Sequence, residues 1–259
     1  MHYVRAGSGA PPLVFVHGFA CSHEDWLLQI NNLKGGFEVV ACDLRGHGLT
    51  PGRPHECTIE HYGGDVIALI NNLELPSSVL VGHSMGCRVV LEANRLAPER
   101  VAGLVLIDGS RTGSGDPDKA EAAARAAVEN AGYAAFAENL FRQMFFKPSA
   151  LADAVVARAL RQSAQFGPSL WPAMTRWDAA AMDAALAAVK APVLVIQTTT
   201  RNAELKRSML KAGESSPYLD LLRKALQSVR IEVIPGVGHF PQLEAAAEVN
   251  RLIRDFLIN

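Results

Sequence analysis

The run Val79-Leu-Val-Gly-His-Ser84-Met-Gly86 holds three features in eight residues: an apolar strand, a Gly-x-Ser-x-Gly turn centred on Ser84, and a helix beginning near Cys87. A serine at such a sharp turn stands at the end of a sheet with its hydroxyl free to attack. Gly82 and Gly86 let neighbouring backbone pack around a strained position where larger side chains would clash. The five-residue pattern alone arises by chance; the flanking strand and helix are the context that the chemistry requires. The competing reading is a serine in an ordinary tight turn.

Two distant stretches bear on that choice. Leu13-Val-Phe-Val-His17-Gly18-Phe19-Ala20 is a second buried strand ending in His-Gly, and Gly236-Val-Gly-His239-Phe240 follows the strand Ile231-Glu-Val-Ile234. With Asp43-Leu-Arg45-Gly46-His47-Gly48 and the Ser84 turn, these motifs stand in the order and spacing of the α/β-hydrolase family. The chain resembles that family over essentially its whole length. The resemblance implies an α/β fold: a mostly parallel, doubly wound sheet with an inserted all-helical cap.

Composition agrees with one large domain. The chain has 259 residues, 49% of them hydrophobic, and a formal net charge of -1, enough for a sizeable core. No basic stripe points to nucleic acid or to an anionic membrane, and no apolar run approaches a membrane span. The N-terminal residues lack the apolar stretch of a signal peptide. Cysteines at 21, 42, 57 and 87 form no Cys-x-x-Cys pair and no zinc spacing, which fits reduced thiols in a cytoplasm. A monomer or homodimer is expected, with neither nucleic acid nor membrane as partner.

Strands are read near 2–5, 13–17, 38–43, 78–83, 101–108, 192–197 and 230–235; most are short continuous Val/Leu/Ile runs, the mark of parallel strands covered on both faces. Amphipathic segments at 22–33, 58–73, 86–97 and 217–228 alternate with them, the first capped by Ser22 and the last by Ser216 before Pro217. The family's first strand is expected to be absent or very short. Residues 112–190 carry no strand signal and read as helices at 117–130, 133–146, 149–165 and 169–188. They form the expected cap, with 1–111 and 191–259 as the core. Most of the cap's aromatic and methionine side chains should pack on one another, and the rest should line an apolar pocket above Ser84. The stretch 198–215 reads as a long irregular loop.

A serine hydroxyl needs a base within hydrogen-bond reach, and histidine is poised near neutral pH. His239 is the candidate, in the loop where the resembled family carries its catalytic histidine. His17 is expected to shape its loop by hydrogen bonding, and His83 to point away from the Ser84 side chain because neighbours on a strand alternate. Asp43 and Arg45 are expected to be structural. The backbone amide of Met85, next after the nucleophile, and by resemblance that of Phe19, would form the oxyanion hole. The family most often places its acid in a Gly-x-x-Asp pattern after the strand at 192–197. Here that place reads Thr198-Thr-Thr-Arg201. Asp108, at the end of the preceding strand, and Glu204, further along the loop, are the replacements. Asp108 is preferred because it leaves a buried strand on a short tether, although an aspartate there can also serve only to bond backbone.

The expected function is a cofactor-independent serine hydrolase of small carboxylic esters or lactones, working through Ser84, His239 and Asp108. No metal is expected, since no His-Glu-x-x-His pattern occurs. A nucleophilic serine argues against epoxide hydrolases and dehalogenases, which use aspartate there. C–C bond hydrolysis or a cofactor-free lyase on the same triad is the alternative. More remote is a ligand-binding module with little turnover.

Overall fold

The computed structural model describes residues 1–202 and 206–258. Strands run β1 Tyr3–Ala6, β2 Leu13–Val16, β3 Val39–Cys42, β4 Ser78–His83, β5 Val101–Ile107, β6 Val193–Gln197, β7 Thr199–Arg201, β8 Arg207–Met209 and β9 Val229–Val233. Helices run α1 Leu27–Leu33, α2 Ile59–Asn72, α3 Met85–Leu96, α4 Pro117–Ala131, α5 Tyr133–Arg142, α6 Ala150–Ser163, α7 Gly167–Ala180, α8 Met182–Ala187, α9 Pro217–Ala225, α10 Pro241–Glu244 and α11 Ala246–Ile258.

Seven strands form one sheet in the order β1-β3-β2-β4-β5-β6-β9. Every pairing is parallel except β1 with β3, at the edge. β2, β3, β4 and β6 are buried at every residue. Their unbroken apolar runs follow from that burial, because parallel strands under helices have no wet face. Two core clusters lie on opposite sides of the sheet, one containing Val14, Leu80 and Leu104, the other Phe15, Trp26 and Ile196. No described helix is long and apolar enough to cross a membrane.

Five helices, α4 to α8, occupy the chain between β5 and β6. The helix expected over 169–188 is two, separated at Ala181. The first helix departs from expectation as well: residues 23–26 make a 3-10 turn, and Ser22 gives no side-chain cap. Ser216 does cap α9, its Oγ accepting from Leu219 N at 3.2 Å. The stretch read as an irregular loop contains the antiparallel hairpin β7–β8.

One buried ion pair ties the inserted helices to the core. Arg88 on α3 donates from Nε and Nη2 to the two oxygens of Asp178 on α7, each at 2.7 Å. Both side chains are buried, and Asp178 Oδ2 also accepts from the Thr112 amide and hydroxyl at 2.6 and 2.8 Å. Helix α3, helix α7 and the chain leaving β5 thus share one carboxylate. Arg88→Ala would strand that charge, and a loss of about 3–5 kcal/mol in unfolding free energy is expected. Urea denaturation checks it; a loss under about 1 kcal/mol would show that the pair is no more than a surface contact.

Candidate active site

Ser84 sits between β4 and α3 with φ 55° and ψ -112°, a conformation that non-glycine residues rarely adopt. The flanking glycines make it possible. A Cβ on Gly82 would fall 2.3 Å from the Gly86 carbonyl oxygen, and one on Gly86 would fall 2.3 Å from that of Val16. The turn therefore packs backbone against backbone, with Ser84 half-buried at the strand end.

The structure brings Ser84, His239 and Asp108 together. His239 Nδ1 lies 2.6 Å from Asp108 Oδ2, and Nε2 lies 2.8 Å from Ser84 Oγ. An ionised carboxylate only accepts, so Nδ1 carries the proton and Nε2 offers its lone pair to the serine hydroxyl. This arrangement can move a proton off Ser84. Glu204, the other candidate acid, lies outside the described residues.

Asp108 is fully buried at the end of β5, with φ 45°. Its Oδ1 accepts from the amides of Thr198 and Thr199, both at 2.8 Å, and its Oδ2 from the Thr199 hydroxyl at 2.5 Å. Arg207 Nη1 stands 3.4 Å from the same oxygen and 2.5 Å from the Thr199 hydroxyl. Burial alone would push the Asp108 carboxyl up. The His239 hydrogen bond and charge, then Arg207 and Thr199, overcome it and hold the carboxyl at about 2. Asp108 thus bonds backbone, as the sequence allowed, and His239 as well.

The His239 loop is pinned from several sides. His83 Nε2 donates to the His239 carbonyl at 2.7 Å, and the His239 amide donates to the Met144 carbonyl at 2.8 Å. The Thr198 hydroxyl holds the Gly238 carbonyl, and Glu244 accepts from the Gly238 and Phe240 amides. His83, expected to point away from Ser84, lines the same small space as Ser84, and its ring packs 4.8 Å from that of His239, because this loop folds over the strand end. Thr198, Thr199, Arg207 and Glu244 were not assigned to the site from sequence. The departure from Gly-x-x-Asp at 198–201 was the one visible signal.

His17 accepts from Leu44 N on Nε2, so its Nδ1 is the donor to the Gly18 carbonyl, at 2.8 Å. In a trans peptide the Phe19 N–H then points away from His17. The Met85 amide is the first of α3 and has no acceptor within the helix. Asp43 accepts from His2, His23 and Leu49, and Arg45 makes a bidentate pair with Asp65. Nothing of these two reaches Ser84.

The space over Ser84 departs from the apolar pocket expected there. Phe19, Phe141, Met144 and Phe240 leave a cavity of only ≈10 Å³. A cavity of ≈290 Å³ lies elsewhere, lined by polar residues around Arg201 and Arg207.

Burial, and next the charge of Arg207, push the His239 imidazole well below the usual 6.5, against the pull of Asp108. The unfolded histidine protonates near 6.5, so stability falls as pH drops below about 6.5, where the unfolded chain binds the proton that the native site refuses. Asp108 acts lower down. Its stabilisation is complete above about 3.9 and is lost as pH falls through the folded value of about 2. An NMR titration of His239 should therefore find its midpoint below 6.5; a midpoint at or above that value would contradict the burial argument.

The chain matches the alpha/beta hydrolase family over residues 13–252. It is 30% identical over 258 residues to the dihydrolipoyllysine-residue acetyltransferase component of an acetoin cleaving system from Pseudomonas putida, covering 97% of this chain and 64% of the relative. The chain thus spans less than two thirds of the length of the first curated relatives it matches. Among solved structures it resembles a thermophilic esterase from Thermogutta terrifontis at a TM-score of 0.81 and 24% identity, covering 99% of this chain and 92% of that one. The enol-lactonase from Burkholderia xenovorans LB400 follows at 0.76 and 22%, covering 100% and 96%. At these identities the structural likenesses show the fold. With the family match spanning most of its length, the chain belongs to the alpha/beta hydrolase family.

Proposed function

We propose that this chain is a cofactor-independent serine hydrolase of small carboxylic esters or lactones. The observation that carries the reading is the unbroken hydrogen-bonded line from the Ser84 hydroxyl through His239 to the Asp108 carboxylate, 2.8 and 2.6 Å. Ser84 Oγ attacks the carbonyl carbon while His239 Nε2 takes its proton, and the imidazolium so formed faces Asp108. The carbonyl oxygen takes up the electron pair, with the amides of Met85 and Phe19 as its donors. Collapse expels the alcohol, protonated by His239, and leaves an acyl group on Ser84. Water then repeats the sequence to release the acid. The four free, buried cysteines fit a reducing compartment such as the cytoplasm.

Residues 112–190 serve as the cap in this reading. A space of ≈10 Å³ holds about one water at most, so an acyl group enters only when Phe141 and Met144 move aside. That favours modest acyl groups over long lipid chains. A second reading, acyl transfer to an acceptor other than water, is favoured by the acetyltransferase name of the Pseudomonas putida relative. It uses the same acyl-enzyme and differs in what attacks it.

Ser84→Ala should leave folding intact and reduce turnover of p-nitrophenyl acetate roughly a thousandfold or more. Near-normal turnover, in protein free of wild type, would sink the serine mechanism. Across p-nitrophenyl esters of rising chain length, the rate should fall beyond short acyl groups, and Phe141→Ala should extend the accepted length. A rate that climbs with chain length in the wild type contradicts the closed cavity. Product analysis with an added thiol separates the two readings: thioester in place of acid marks transfer.

A further inference from the structure

The ≈290 Å³ cavity belongs to neither the Ser84 space nor its apolar lining. Three elements converge on it. The hairpin brings Arg201 from β7 and Arg207 from β8, and α9 brings its N-terminal residues Ser216, Pro217 and Tyr218. We propose that this cavity binds a small oxyanion, a carboxylate or a phosphate, between the guanidinium groups of Arg201 and Arg207 and the N-terminal end of α9.

The chemistry of the lining supports this. Among the described residues, both hydrogen bonds of Arg207 leave from Nη1, to Thr199 and to Asp108, and its other N–H groups have no partner there. Arg201 lies with its guanidinium carbon 5.6 Å from the ring centroid of Trp171, within cation–π range. Burial, and then their mutual charge, bring Arg201 down to about 9, and burial brings Arg207 to about 10. An anion between them would meet donors from both guanidinium groups. Planar guanidinium forks match carboxylate and phosphate oxygens.

Tyr218 adds an independent observation. It is 7% exposed, it lines the cavity, and among the described residues its hydroxyl has no hydrogen-bond partner. A buried phenol is normally satisfied, and an oxyanion supplies the acceptor. The N-terminus of α9, with Ser216 already occupied in capping Leu219, adds its dipole toward the same charge.

Calorimetric titration of the wild-type chain with propionate and with inorganic phosphate tests the site, with sodium chloride at matched ionic strength as reference. It reads binding rather than turnover, so its outcome is separate from that of the serine mechanism. Saturable one-to-one binding of either anion is expected, and whichever binds identifies the source. Arg201→Gln should weaken it by about tenfold or more. Tyr218→Phe, which removes one oxygen and keeps the ring, should weaken it by a smaller factor of about threefold or more. If neither anion binds beyond chloride, or both variants bind as tightly as the wild type, there is no such site.

Discussion

One carboxylate organises the site. Asp108 is buried to the last atom, yet it keeps its charge because two backbone amides, a hydroxyl, an imidazole and a guanidinium surround it. A buried charge without such partners would be neutralised or expelled. The amides come from the segment directly after β6, so the sheet itself holds the acid in place. The left-handed backbone at Asp108 and the unusual one at Ser84 are both strained positions, at the ends of neighbouring parallel strands. Strain of this kind persists only where the surroundings overdetermine it, and here they do so on both strands.

The same logic of shared polar groups fastens the inserted helices. Asp178 binds Arg88 on α3, and Arg158 on α6 binds Asp25 in the turn before α1. The Met144 carbonyl holds the His239 amide. The helices are thus anchored at their edges, while Phe141 and Met144 fill the middle, over Ser84. In the proposed reading, anchored edges and a packed centre would let side chains move aside for a substrate without the helices leaving the core.

Much of this was legible in the chain. The parallel strands announce themselves as continuous apolar runs, and Gly82 and Gly86 mark the turn around Ser84 because backbone crowding at the two glycines admits nothing larger. His239 was legible from its place after the last strand. The donors around Asp108 were not. Thr198 and Thr199 lie 90 and 91 residues away in sequence, and threonine amides carry no mark of what they will bond. The hairpin β7–β8 escaped because three-residue strands of Thr, Arg, Ser and Met show no period. The cap's apolar side chains were identifiable, but whether they enclose a pocket or fill it is a matter of packing, which composition does not encode. Helix α11 was missed although Val249, Leu252 and Ile253 stand at helical spacing; the signal was present.

The central claim is that Asp108 orients and supports His239. Turnover of Asp108→Asn and Glu204→Gln at neutral pH, with folding checked by circular dichroism, tests it most directly. Asparagine keeps the shape but favours the wrong imidazole tautomer, so the account predicts a loss of up to about ten-thousandfold for Asp108→Asn and little change for Glu204→Gln. A crippled Glu204→Gln beside a near-normal Asp108→Asn would contradict it.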